Sequence, residues 1–268
     1  MRTTMDYDGY IFDLDGTIYL SQRLLANADQ VVRELIQAGR RIVFLSNKPI
    51  ESRENYAKKL NAMGIPADLD SIVNSSLVTA QCIAAESPNA TIYCIGEPPL
   101  WDELRAAGLE LTEEPLAAEF LVVAFDRTFT YEKLHKAMLA LENGARYFAT
   151  NPDRTCPVDG GHIPDCAGMI GAIQGVTGRS PELICGKPSE KMLAVALDRL
   201  HLKAGQCLMV GDRLETDIQM GIDLNVDTAL VLTGVTTATM AAEAAVKPTF
   251  VLGSVADIPK RKSPTYVK

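Results

Sequence analysis

The sequence predicts an α/β protein: a doubly wound, mostly parallel sheet covered on both faces, with a second, smaller α/β domain inserted into it. Three observations carry this. Short apolar runs alternate along the chain with amphipathic segments of helical period, the pattern of strands buried between crossover helices. Several of these runs finish abruptly on polar residues, as at Phe12-Asp13, Leu45-Ser46 and Val210-Gly211-Asp212. Those endings flank a break near Ser87-Pro88-Asn89 and resume after Leu183. Residues 1–82 and 184–268 then read as two parts of one core, and 83–183 as the insertion.

The elements follow in order. Tyr10-Ile11-Phe12 is a buried strand running into Asp13-Leu14-Asp15-Gly16-Thr17, and Tyr19 to Asn27 is a polar stretch. Ala28 to Ala38 is a helix with Val31, Val32, Leu35 and Ile36 on one face, stopped by Gly39. Arg41 to Leu45 is a strand ending on Ser46-Asn47, and Pro49 opens a helix to Met63. Ile72-Val73 is a short strand, and Ser75 to Glu86 a helix capped by Ser75 or Ser76.

In the insertion, strands are expected at Thr91–Ile95, Phe120–Ala124 and Arg146–Ala149, with helices at Pro98–Ala107, Thr130–Asn143 and Ala167–Val176. Asn151 to Asp165, rich in Pro, Gly and Asp, reads as an exposed loop long enough to touch a ligand. Leu183-Ile184-Cys185 leads to Gly186-Lys187-Pro188 and a helix to Leu200. Strands follow at Cys207–Val210, Ala229–Leu232 and Phe250–Leu252, with Thr216 and Gln219 forming a capping-box pattern between the first two. The tail from Pro259, with Lys260, Arg261, Lys262 and Lys268, reads as a solvated basic end.

Composition bounds the partners. A net charge of −8 over 268 residues opposes broad nucleic-acid binding, which needs basic stripes. No run approaches a membrane span. Six dispersed cysteines form no Cys-x-x-Cys pair, and the four in or beside apolar runs make most of them read as reduced core residues, in keeping with a cytoplasmic location.

The strand endings suit phosphoryl transfer. Strands rarely end on two acids, and in open parallel sheets the carboxyl ends face the ligand crevice. A carboxylate attacking a phosphate meets about 4 kcal/mol of repulsion at 4 Å and an effective dielectric of 20. A divalent cation offsets it, and Asp13 and Asp212 are hard oxygen ligands suited to Mg2+. Asp13 reads as the nucleophile, and Asp15 as acid in the first step and base in the second. Lys187 would balance charge on the phosphoryl oxygens, and Ser46 and Asn47 would donate hydrogen bonds to them.

Taken together, Asp13-x-Asp15-Gly16-Thr17, Ser46-Asn47, Gly186-Lys187-Pro188 and Gly211-Asp212-x-x-x-x-Asp217 resemble the ordered motifs of the haloacid dehalogenase (HAD) superfamily phosphatases. The insertion resembles a C2-type cap, and Ala149 to Asp153 and Ala167 to Ala172 look like segments of the NagD-like and AraL-like subclass IIA. The resemblance implies a Rossmann-like core and magnesium held by Asp13, the main-chain carbonyl of Asp15, and Asp212, with Asp217 acting through water or by orienting Lys187. One departure is Asp165-Cys166, where many relatives carry Pro-Gly.

The expected activity is hydrolysis of a small-molecule phosphate ester, such as a sugar phosphate. A phosphotransferase or mutase, and an idle phosphate-binding sensor, are the alternatives. Asp153, Arg154, Cys156 and His162 in the long loop are candidates for substrate selectivity, and a homodimer is expected although no stretch locates its interface.

Overall fold

The computed structural model describes residues 5–25, 27–158 and 160–258. In order, these form β1 (Gly9–Asp13), β2 (Tyr19–Leu20), β3 (Arg23–Leu24), α1 (Ala28–Gln37), β4 (Arg41–Ser46), α2 (Arg53–Ala62), β5 (Ile72–Asn74) and α3 (Ser75–Glu86). Next come β6 (Thr91–Ile95), α4 (Pro98–Ala106), β7 (Glu110–Leu111), β8 (Phe120–Val123), α5 (Tyr131–Glu142), β9 (Arg146–Ala149), β10 (Thr155–Val158), β11 (Gly161–Pro164) and α6 (Cys166–Thr177). The chain closes with β12 (Leu183–Ile184), α7 (Glu190–Leu200), β13 (Cys207–Gly211), α8 (Gln219–Asp223), β14 (Asp227–Val231), α9 (Ala238–Glu243) and β15 (Phe250–Leu252). The basic tail from Pro259 lies outside the described residues.

The chain divides into two compact units, one from Met1–Leu45, Ala57–Ile72 and Ala196–Lys268, the other from Ser46–Tyr56 and Val73–Val195. The first is built on the sheet of order β15-β14-β13-β1-β4-β5. Its central strand, β1, is buried along its whole length and pairs in parallel with β13 and β4. This is the environment in which an uninterrupted apolar run is stable. Register sets the level of the strand ends. Phe12 lies opposite Val210 on one side and Phe44 on the other, so Asp13 and Gly211-Asp212 leave the sheet at the same level.

The second unit is built on the parallel sheet β12-β9-β8-β6-β7. Tyr93, Leu121, Val123 and Tyr147 from its strands pack with Ala137 and Leu141 of α5 and Met169 and Ile173 of α6.

The expected α/β class, with parallel sheets and covering helices, is the one observed. Besides α2, which starts at Arg53 with Pro49 left in the turn before it, four local expectations change. The stretch expected as a loop from Asn151 to Asp165 contains the antiparallel hairpin β10–β11, whose return passes through Gly160 and Gly161 at φ of 87° and 154°; glycine takes such angles without a Cβ clash. The polar stretch after Thr17 also contains a two-stranded ribbon, β2–β3. Helix α3 is capped by Asn74, whose side chain accepts from Leu77 N at 2.9 Å, rather than by Ser75 or Ser76. The capping box expected at Thr216 and Gln219 is replaced by a π-helical turn over Leu214–Ile218 that runs straight into α8. In that turn Ile218 N donates to Arg213 O at 3.2 Å, five residues back, and the Asp217 carboxylate turns back to accept from Arg213 N at 3.1 Å.

Candidate active site

In the first unit, the loop after β1 is wound tightly. Thr17 N and Ile18 N donate to Leu14 O at 3.2 and 2.9 Å, and Gly16 N donates to Tyr19 O at 2.7 Å. Gly16 takes φ of 91°, a left-handed conformation that lets the chain turn directly beneath the strand end. Asp13 is thereby buried with Thr17, whose hydroxyl donates to Asp13 Oδ2 at 3.1 Å, while Asp15 stays half-buried.

Asp13, Asp212 and Asp217 each offer a carboxylate oxygen within 4.8 Å of the others, and all three are buried. Burial pushes the Asp212 carboxyl well above the usual carboxylate range, and the charges of Asp13 and Asp217 push it further; the Val235 N–H partly opposes them. Three carboxylates so placed form a hard-oxygen set that a divalent cation would neutralise, as burial favours charge only when it is paired or metal-bound.

A further loop, not anticipated from the sequence, holds Asp212 in place. Val235 N donates to Asp212 Oδ2 at 2.6 Å, Thr236 N to Asp212 O at 3.2 Å, and the Thr233 hydroxyl to Gly16 O at 2.6 Å. Gly234 and Gly16 lie so close that a Cβ on either would strike the Asp212 carboxylate. Gly234 needs glycine for close approach, and Gly16 needs it both for close approach and for its left-handed φ.

In the second unit, Asn47 and Lys187 meet across 140 positions of sequence. Asn47 Oδ1 accepts from Lys187 N at 2.7 Å, and its Nδ2 donates to Lys187 O at 3.1 Å. The amide thus brackets the lysine's main chain as a neighbouring strand would. The same Nδ2 donates to Asp153 Oδ2 at 2.8 Å, and the Asn47 carbonyl accepts from the Ser75 hydroxyl at 2.7 Å. Gly186 permits this approach, since a Cβ there would meet Asn47 Oδ1 and Thr150 O.

Both amide hydrogens of Asn47 therefore serve protein partners, where the sequence suggested a phosphoryl oxygen. Ser46, buried, donates to the Tyr56 hydroxyl at 3.0 Å, and Tyr56 donates in turn to Lys48 O at 3.0 Å. Lys187 is itself buried.

Of the selectivity candidates in the long loop, Asp153 bonds to Asn47, as described, and to Asn151 Nδ2 at 2.9 Å. Arg154 is exposed, Cys156 is buried in β10, and His162 is exposed on β11 opposite Pro157. Tyr56 was missed in the sequence, and Asn151 and Asp165 drew notice there without a role. Asn151 Nδ2 donates to Asp165 Oδ1 at 3.0 Å, and that oxygen accepts from Cys166 N at 2.6 Å, capping α6. The residue that departs from the Pro-Gly of many relatives is thus a helix cap, and Asp before a small-residue helix was the one available signal.

Two family profiles match the chain, haloacid dehalogenase-like hydrolase over residues 10–110 and HAD-hydrolase-like over 184–258. The sugar-phosphatase AraL of Bacillus subtilis is 40% identical over 252 residues, covering 94% of this chain and 92% of its own. The chain belongs to the haloacid dehalogenase-like hydrolases. Within the HAD family it is a phosphatase of the NagD-like subclass IIA. A p-nitrophenyl phosphatase from Archaeoglobus fulgidus superposes with a TM-score of 0.90 at 39% identity, over 94% of this chain and 98% of that one. NagD from E. coli K-12 superposes at 0.87 with 28% identity, over 96% and 100%. In this HAD phosphatase the carboxylate cluster lies at the ends of β1 and β13 and in the turn that follows, and the Asn47–Lys187 pair follows β4 and β12.

Proposed function

We propose that this protein is a magnesium-dependent phosphomonoester hydrolase for a small phosphorylated metabolite, working through an aspartyl phosphate on Asp13. The observation that carries the reading is the buried set Asp13, Asp212 and Asp217 at the ends of neighbouring parallel strands and their following turn. Magnesium, held by Asp13, the Asp15 carbonyl and Asp212 with Asp217 behind them, would supply Lewis-acid stabilisation and screen the two anions from one another.

The remaining steps belong to the chain. An Asp13 carboxylate oxygen forms a bond to phosphorus as the ester oxygen leaves, and Asp15 gives that oxygen its proton. Asp15, now ionised, takes a proton from the water that attacks the aspartyl phosphate, releasing inorganic phosphate and restoring Asp13. Thr17, bonded to Asp13 Oδ2, keeps one carboxylate oxygen oriented while the other reacts. Lys187 binds the phosphoryl group by charge, with the Asn47 side chain holding the lysine's main chain and the Ser46 hydroxyl tied to Tyr56 beside it.

Residues 83–183 act as the cap that excludes water and selects the substrate. The name of the sugar phosphatase relative supports a sugar phosphate as substrate. Six free thiols support the cytoplasm as location, and none of the described helices is long and apolar enough to cross a membrane. The net charge of −8 supports the absence of a nucleic-acid partner.

The test is phosphate release from a panel of sugar phosphates and p-nitrophenyl phosphate, without an acceptor alcohol, with magnesium or with a chelator. Wild type should turn over only with the metal, and Asp13→Asn should be inactive with an unchanged circular-dichroism spectrum. Robust release by Asp13→Asn would refute the nucleophile, and dependence on an added alcohol would make the enzyme a transferase.

A further inference from the structure

We infer that Asp153 is a positioning residue for phosphate binding, acting through Asn47 on Lys187, and does not select among substrates. The inference rests on the reading above that Lys187 binds the phosphoryl group. Its own ground is a continuous set of hydrogen bonds within the second unit.

Lys187 follows β12, a strand of only two residues, Leu183–Ile184, at the edge of its sheet. A strand so short registers the following loop weakly. Cys185 N and Gly186 N extend the pairing by donating to Ala149 O and Thr150 O at 2.9 and 2.7 Å. Beyond Gly186 the main chain is held on this side by the Asn47 amide, which engages both the N–H and the C=O of Lys187.

An amide held only by those two bonds can pivot about its χ2 torsion, a broad and soft coordinate. Asp153 takes the remaining Nδ2 hydrogen at 2.8 Å. As an ionised acceptor it makes a charge-assisted bond, which stiffens the pivot and fixes which face of the amide meets Lys187.

Asp153 is anchored independently. The oxygen that receives Asn47 also receives Asn151 Nδ2 at 2.9 Å, and Asn151 is bound to Asp165 at the start of α6. Two branches therefore leave this oxygen. One runs to Asn47 and Lys187 and affects phosphate; the other runs to Asn151 and α6 and affects stability.

A residue that selects substrates would touch the leaving group, and its loss would penalise sugar phosphates and p-nitrophenyl phosphate unequally. A residue that positions Lys187 acts on the phosphoryl group common to all. Asp153→Ala should therefore lower kcat/KM by the same factor, roughly 10- to 100-fold, for p-nitrophenyl phosphate and for two sugar phosphates. It should raise the inhibition constant of inorganic phosphate in parallel. Asp153→Asn, which keeps an acceptor oxygen without the charge, should recover most of that loss.

The deciding measurement is a double-mutant cycle with Asn47→Ala. In the Asn47→Ala background, Asp153→Ala should cost less than about threefold further in kcat/KM. Multiplicative losses, unequal losses among substrates, or an unchanged phosphate inhibition constant would each overturn the assignment. Thermal melts of every variant separate the α6 branch, and Asn151→Ala, which removes one anchor of Asp153, should lower the melting temperature and raise the phosphate inhibition constant less than Asp153→Ala does. Lys187→Met is the control for the underlying reading. If it leaves phosphate affinity unchanged, the role of Lys187 fails; if it abolishes binding while Asp153→Ala does not, only the positioning role fails.

Discussion

Asp212→Asn should stabilise the metal-free protein while destroying its activity. The carboxylate oxygens of Asp13, Asp212 and Asp217 lie within 4.8 Å of one another. At that separation and an effective dielectric near 20, one ionised pair repels by about 3 kcal/mol. Desolvation adds to this, and together the effects raise the Asp212 carboxyl well above its ordinary range. The folded state then holds a proton that the unfolded state releases, so metal-free stability falls as pH climbs from the ordinary carboxylate range, about pH 4, toward the raised value.

An asparagine keeps the shape, and its carbonyl still accepts from Val235 N. With chelator at pH 7.5 the variant should melt higher than wild type by about 3 kcal/mol, roughly 10 °C for a unit of this size. The gap should close below about pH 4, where both states carry protonated carboxyls. Saturating magnesium should reverse the order, because binding to the folded state adds stability by mass action and the variant has lost a ligand. Scanning calorimetry at several pH values, with chelator and with magnesium, reads all of this. A variant that melts lower than wild type in chelator at neutral pH would refute the claim that the cluster stores repulsion which a cation relieves.

Two further outcomes rest on packing around the sites. Gly234→Ala should drive a Cβ into the Asp212 carboxylate, lowering kcat/KM by roughly 100-fold and weakening magnesium affinity measured by titration calorimetry, with little change in the far-ultraviolet spectrum. Tyr56→Phe removes the hydroxyl that receives Ser46 and serves Lys48 O. Chemical denaturation should show a loss of about 1–3 kcal/mol, and KM for p-nitrophenyl phosphate should rise more than kcat falls.

The legibility of the molecule was uneven for physical reasons. Strands such as Gly9–Asp13 and Cys207–Gly211 are buried throughout, so their apolar runs stand out and their polar ends draw notice. Helix α1 was readable in part by its face: Val31 and Val32 are buried as the spacing implied, whereas Leu35 is half-buried and Ile36 is exposed. The hairpin β10–β11 was not, because Pro157, Gly160 and Gly161 are loop residues by local preference. Only the cross-strand pairing of Thr155–Val158 with Gly161–Pro164 makes them a ribbon. The π-helical turn at Leu214–Ile218 was hidden for a similar reason, since Thr216 and Gln219 match a capping box until Asp217 is seen bonding back to Arg213 N.

What the sequence alone determined is the class of fold and the inventory of chemical groups: Asp13, Asp15, Ser46, Asn47, Lys187, Asp212 and Asp217 each sit at or just beyond an apolar run. Period and composition act locally, within reach of any one-dimensional reading. What only the tertiary structure decided is which groups meet. The parallel register of β1 with β13 brings Asp212 to the level of Asp13, and Asn47 closes on the main chain of Lys187 with Asp153 at its back. Such contacts depend on strand order, register and the absence of a Cβ at Gly186 and Gly234, and no spacing along the chain encodes a distance between residues that folding alone brings together.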